Sequence, residues 1–310
     1  MYNNCVSPQY FNRVCPEFPL LHLKKIETIH VNGANNFRIS VKITGNPKGI
    51  PIVFIHGFSE SWLLWNFQLN SPMLLKKHRL IAIDMRGQGE SQPKSLDLNN
   101  YKQGSLYAQD INAVFKELDI MNAIVVAHSL GGTWFSDYLL AFGTTRIRGV
   151  LFVASPIDVN TPMANALFTE QLLDVIPFVT DPCLQTTAIG LGRFISLLFN
   201  CRITKNNLEE LLSYISLVPS QIRENLLLHE PLSAKDVLPY IDVPVLVMHS
   251  YKDRVINFQA SVRVNKLAPK SKLILFREIG HSIFAEMPKT FNRILCQFAI
   301  RPDIDKKHLV

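Results

Sequence analysis

Short runs of apolar and β-branched residues recur along the chain, at 37–44, 51–55, 79–84, 123–127, 148–154, 243–249 and 272–278. In Ile52-Val53-Phe54-Ile55 and Ile124-Val125-Val126 every consecutive position is apolar, a pattern that predicts strands buried on both faces. Between the runs the spacing of apolar positions changes. After Ser105, which reads as an N-cap, Ile111, Val114, Phe115 and Leu118 recur at three- to four-residue intervals and predict an amphipathic helix. Strands alternating with helices predict an α/β fold, a mostly parallel sheet covered by helices on both faces.

The alternation stops between about Pro156 and Leu238. Here the pattern is helical and apolar, over 164–175, 189–199, 207–215 and 219–228, and it is punctuated by Pro156, Pro162, Pro177, Pro182, Pro219, Pro231 and Pro239. The reading is a division into an N-terminal extension (1–25), a core (26–155 and 239–310) and a helical cap (156–238). A cap so rich in Leu, Ile and Phe would roof a pocket and favour an apolar substrate.

Composition narrows the class further. The 310 residues are 47% hydrophobic and 18% charged, enough for a sizeable core and unlike a disordered chain. No run approaches the ~18 consecutive apolar residues of a membrane-spanning helix. The start, Met1-Tyr2-Asn3-Asn4-Cys5, has neither basic residues nor an apolar stretch, so no secretory signal is visible and the expected location is the cytoplasm. The net charge of +7 is diffuse. Its one local cluster, Lys76-Lys77-His78-Arg79, reads as a solvated loop, and nucleic-acid binding would need a concentrated basic stripe. The five cysteines (5, 15, 183, 201 and 296) are odd in number, widely spread and without a C-x-x-C. They read as reduced thiols, not as a disulfide framework or a zinc site, and no metal or organic cofactor is expected.

The strongest chemical signal is Ala127-His128-Ser129-Leu130-Gly131-Gly132, where a buried strand runs into a serine and a helical pattern starts at once. A serine on so tight a turn needs small neighbours two positions away, which Ala127 and Gly131 supply. The turn lifts the hydroxyl to a helix N-terminus, where a backbone N–H and a positive partial charge await an oxyanion. Capping of the helix by Ser129 is the plainer alternative. A second strand ends at His56-Gly57-Phe58-Ser59-Glu60-Ser61-Trp62. The backbone N–H groups of Phe58 and Leu130 are the candidate oxyanion donors, while His56 reads as a structural, loop-locking residue and Trp62 and Trp65 as core or pocket-wall aromatics.

A nucleophilic serine needs a base, and the base an orienting carboxylate. Gly280-His281 follows the last predicted strand and Asp253 the one before it. Asp253 competes with a plain turn role and with Asp158, which follows the run 148–154. The order Ser129, Asp253, His281 is that of α/β-hydrolases.

On these residues the chain resembles the α/β-hydrolase superfamily over roughly 32–301, in its serine-nucleophile branch. Asp84-Met85-Arg86-Gly87-Gln88-Gly89-Glu90-Ser91 is similar to the D-x-R-G-x-G-x-S turn of such enzymes, and it lacks the third glycine of a dinucleotide loop. His56 to Trp62 resembles epoxide hydrolases and haloalkane dehalogenases, whose nucleophile is an aspartate where this chain has Ser129. Phe142 to Ile147 and Val153-Ala154-Ser155-Pro156 look more like cofactor-free arylesterases and haloperoxidases. The resemblance implies an eight-stranded, mostly parallel sheet and hydrolysis of small to medium apolar carboxylic esters through an acyl-enzyme. C–C bond hydrolysis, lyase or acyl-transfer chemistry on the same triad, or a non-catalytic binding role, are the alternatives.

Overall fold

The computed structural model of the protein describes residues 13–19, 26–93, 96–157, 167–232 and 236–303. Eight strands form one sheet: β1 (Glu27–Asn32), β2 (Arg38–Gly45), β3 (Ile50–Ile55), β4 (His78–Ile83), β5 (Ala123–His128), β6 (Ile147–Val153), β7 (Val245–Ser250) and β8 (Ser271–Phe276). Their spatial order is β1-β2-β4-β3-β5-β6-β7-β8. β2 is antiparallel to both β1 and β4, and all other pairs are parallel. The helices of eight residues or more among the described residues are α1 (Gly104–Glu117), α2 (Leu130–Phe142), α3 (Glu170–Val179), α4 (Leu184–Leu197), α5 (Lys205–Ile215), α6 (Ser220–Leu227), α7 (Gln259–Leu267) and α8 (Pro288–Ile300).

The central strands are those whose apolar residues are consecutive. Every residue of β5 and of β7 is buried, because helices cover both faces of the sheet. Register follows from this burial: Ile52 of β3 lies between Leu80 of β4 and Ile124 of β5. α3 to α6 all lie between β6 and β7, close to the helical stretches read from the sequence.

Four expectations need correction. β1 is missing from the predicted runs: it is an edge strand on which Val31 alone is buried, and only Ile29 and Val31, alternating with polar residues, mark it. α1 begins at Gly104 after Gln103, with no side-chain cap, and Ser105 lies inside the helix. The basic cluster is not a loop: Lys76 and Lys77 close the short helix Pro72–Lys77, complementing its dipole, and His78 is a buried residue opening β4. Finally, Cys15 and Cys201 form a disulfide across a sequence separation of 186 residues. Spacing could not reveal it, because the pair exists only where the segment 13–19 packs on the loop after α4. Cys183 and Cys296 are free thiols.

The Asp84–Ser91 turn is a structural knot. Asp84 accepts the N–H groups of Trp62 (2.7 Å) and Glu90 (2.8 Å), and a Cβ on Gly89 would lie 2.3 Å from the Asp84 carboxyl carbon. Arg86 makes a buried bidentate pair with Asp110 at 2.6 and 2.7 Å. Trp65 is core, its ring 5.0 Å from Phe54 and 4.5 Å from Phe284, and Trp62 packs beneath the Lys42 ammonium. Among the described residues no helix is long and apolar enough to cross a membrane.

Candidate active site

Ser129 sits between the end of β5 and the start of α2, with φ 49° and ψ −127°. A non-glycine residue held at positive φ is strained, and the surroundings that hold it are close-packed. Its N–H donates to Val153 O at 3.0 Å, and its carbonyl accepts from Gly132 N–H at 2.9 Å. A Cβ on Gly131 would lie 2.4 Å from the His56 carbonyl oxygen, and one on Gly132 would lie 2.4 Å from Ser155 Cβ. Glycine is therefore required at both positions for α2 to start so near β3 and β6.

The loop after β3 comes to the same point. A Cβ on Gly57 would be 2.8 Å from Ser129 Cβ. His56 locks this loop: its Nε2 accepts Met85 N–H at 3.0 Å, so Nδ1 carries the proton donated to Gly57 O at 2.9 Å. Burial pushes the His56 pKa down to about 4, keeping the ring neutral, as its structural reading requires. Among the described residues neither Phe58 N–H nor Leu130 N–H has a hydrogen-bond acceptor, and both residues line the same cavity as Ser129.

His281 and Asp253 are joined directly, with His281 Nδ1 2.7 Å from Asp253 Oδ2. His281 is buried, on the loop after β8, and Asp253 on the loop after β7. Asp253 Oδ1 accepts the N–H groups of Val255 (2.8 Å) and Ile256 (2.9 Å), while His249 Nε2 lies 2.9 Å from Oδ2. Burial opposes the charge of this carboxylate, but His281 and the bond from His249 outweigh it and hold its pKa below the usual carboxylate range. The turn role and the ion-pairing role therefore coexist in one residue. His281 itself is held below its ordinary pKa, chiefly by burial, against the pull of Asp253. No hydrogen bond joins Ser129 to His281 in this structure; the two loops meet through His128, whose ring is 4.6 Å from that of His281. Such bonds tighten when substrate arrives. Asp158 lies outside the described residues.

The cavity above Ser129 has a volume of about 250 Å³. Its walls include Phe168, Leu172 and Ile176 of the α3 region, Phe194 of α4, and Leu226 and Leu227 of α6. Among the described residues that line it, Ser129 contributes the only polar side chain. Trp62 and Trp65 do not line it.

Three contributors had no signal in the sequence. His249 shares Asp253, Glu60 accepts Gly57 N–H at 2.6 Å and lies 3.6 Å from His128 Nε2, and Glu286 accepts Gly280 N–H at 2.7 Å. Each is an isolated polar residue whose partner is supplied by another segment or by a loop turn. Among the described residues no group of three or more His, Cys, Asp or Glu is arranged to hold a metal ion.

Comparison with known proteins agrees with this architecture. Residues 50–288 match the model of a family described as the alpha/beta hydrolase fold. A structure from Burkholderia cenocepacia assigned as an aryl esterase superposes with a TM-score of 0.83 at 28% identity, covering 89% of this chain and 99% of that one. The non-heme chloroperoxidase CPO-A1 of Kitasatospora aureofaciens is 25% identical over 81% of this chain and 92% of its own length. The 2-hydroxy-6-oxononadienedioate/2-hydroxy-6-oxononatrienedioate hydrolase of Cupriavidus pinatubonensis is 24% identical over 86% of this chain and 92% of its own. From its eight-stranded sheet, its strained serine turn and a family match spanning most of its length, the chain belongs to the α/β-hydrolase fold family.

Proposed function

We propose that the protein is a serine carboxylesterase acting on small to medium apolar esters. Ser129 attacks the ester carbonyl while His281 takes its proton through Nε2; positioned general-base help of this kind contributes about 10²–10⁴-fold. Asp253 keeps the proton of neutral His281 on Nδ1 and stabilises the imidazolium that forms. The N–H groups of Phe58 and Leu130 receive the oxyanion, each such donor being worth roughly 10²–10³-fold in rate. The alcohol leaves with the proton returned by His281, and water activated by the same ring releases the acid. No step needs a metal or organic cofactor.

The observation that carries the reading is one cavity in which, among the described residues, Ser129 is the sole polar side chain and two N–H groups without an acceptor flank it. Residues 156–238 act as the cap, since most of the described residues that line the cavity fall within this segment, with α3, α4 and α6 among its elements. An apolar wall has no partner for a charged substrate group and favours hydrocarbon acyl or alkoxy chains. This also weighs against the dicarboxylate chemistry of the Cupriavidus relative, because none of the described residues that line the cavity is Lys or Arg. The Cys15–Cys201 disulfide argues for an oxidising environment in place of the cytoplasm expected earlier.

A fluorophosphonate probe tests the nucleophile. The wild-type protein should be labelled and should hydrolyse p-nitrophenyl esters, and Ser129→Ala should do neither. Equal labelling of Ser129→Ala overturns the assignment. A series of p-nitrophenyl esters of rising chain length then measures how much of the cavity the acyl group fills.

A further inference from the structure

The segment 13–19 lies against the loop that follows α4. Besides the Cys15–Cys201 disulfide, Cys15 N–H donates to Arg202 O at 3.0 Å and Arg202 N–H to Arg13 O at 2.9 Å. The same α4 end and loop touch both loops that carry the acid–base pair. Ser282 N–H donates to Leu198 O at 2.9 Å, and the Arg254 guanidinium donates to Phe199 O at 2.7 Å and to Ser196 O. Glu286 completes the junction. Its Oε1 accepts Asn200 N–H and Gly280 N–H, each at 2.7 Å, and its Oε2 pairs with the Arg13 guanidinium. The fit is tight: a Cβ on Gly280 would lie 2.5 Å from Asn200 N and 2.7 Å from Glu286 Oε1.

Glu286 is 4% exposed, and a buried carboxylate needs both hydrogen bonds and a counter-charge to stay ionised. The two backbone N–H groups supply the first. Arg13 supplies the second by contact, with Arg254 near enough to feel the same charge. We propose that Glu286 is a positioning residue for His281, and that the disulfide-anchored segment 13–19 is part of the working active site because it delivers Arg13 to Glu286. This rests on the reading of His281 as the base. Glu286 holds the N–H of Gly280, the residue immediately before His281, so it sets where the imidazole stands relative to Asp253 and Ser129. A displacement of about 1 Å at such a site costs on the order of 10²-fold in rate.

The test compares Arg13→Ala, Arg13→Lys, Glu286→Gln and the double variant Cys15→Ser/Cys201→Ser in full-length protein, using p-nitrophenyl butyrate. For Arg13→Ala, kcat should fall roughly 10- to 100-fold with KM changed less than about threefold, and Arg13→Lys should recover most of it. The double cysteine variant, assayed well below its melting temperature, should lose kcat in the same way. Glu286→Gln should lose at least as much as Arg13→Ala. If Glu286→Gln does not fold, the half-exposed Arg13 and its Lys rescue decide the matter. Folded Arg13→Ala and double-cysteine variants with kcat within twofold of wild type overturn the proposal. Ser129→Ala separates the two levels: hydrolysis at a rate near wild type there refutes the Ser129 mechanism itself, whereas a strongly impaired Ser129→Ala with unaffected Arg13→Ala refutes the role of segment 13–19 alone.

Discussion

Replacing Asp253 by Asn probes the acid–base pair at one atom. Asp253 accepts from four groups: Val255 N–H, Ile256 N–H, His281 Nδ1 and His249 Nε2. An asparagine keeps its carbonyl oxygen for the two backbone donors and turns its NH₂ toward the two histidines. His281 Nδ1 must then accept, so the proton of the neutral ring moves to Nε2, the atom that has to receive the serine proton. The imidazolium also loses its counter-charge. Inversion of a catalytic tautomer of this kind lowers kcat by about 10⁴-fold, or roughly 5 kcal/mol of barrier at 1.36 kcal/mol per factor of ten. The backbone turn survives, so the fold should persist with KM little changed. The assay is steady-state hydrolysis of p-nitrophenyl butyrate with circular dichroism as the folding control, and Asp158→Asn run beside it. A folded Asp253→Asn within about tenfold of wild type, or a larger loss in Asp158→Asn, refutes the assignment.

Other consequences follow from burial and shape. His281 must be neutral to act as a base and its pKa is lowered by burial, so activity should rise with pH and be half-maximal below the ordinary histidine value of about 6.5; a midpoint at or above pH 7 in kcat/KM contradicts this. Ile176→Trp should narrow the cavity of about 250 Å³ and move preference toward the shortest acyl chains, while leaving the rate of labelling by a small fluorophosphonate nearly unchanged. The disulfide closes a loop of 186 residues, for which the chain-entropy relation gives about 5 kcal/mol as the upper stabilisation. Cys15→Ser/Cys201→Ser should therefore lose about 2–5 kcal/mol in denaturant unfolding, and an unchanged midpoint and slope would show that the link does not constrain the chain.

The core of the fold was readable because burial on both faces writes itself as consecutive apolar residues. β3 and β5 carry that pattern and were placed to within a residue or so, whereas β1 is an exposed edge with no consecutive apolar run, marked only by Ile29 and Val31 between polar residues. The serine turn was readable for a related reason. The close approach of α2 to β3 demands Gly131, and sequence displays a steric demand met by a missing side chain. His281 and Asp253 were found as residues just past strand ends, but their contact at 2.7 Å was not visible, since they stand 28 residues apart.

What local physics governs in this protein is thus its strand and helix content, its parallel core and the small residues around Ser129, all set by neighbours a few positions away. The remaining features join distant segments: Asp253 held between His249 and His281, Glu286 between Gly280, Asn200 and Arg13, and Cys15 bonded to Cys201. No spacing rule encodes such pairs, because each polar or thiol group finds its partner only after the apolar sheet and helices have packed and brought their connecting loops to one end of the strands.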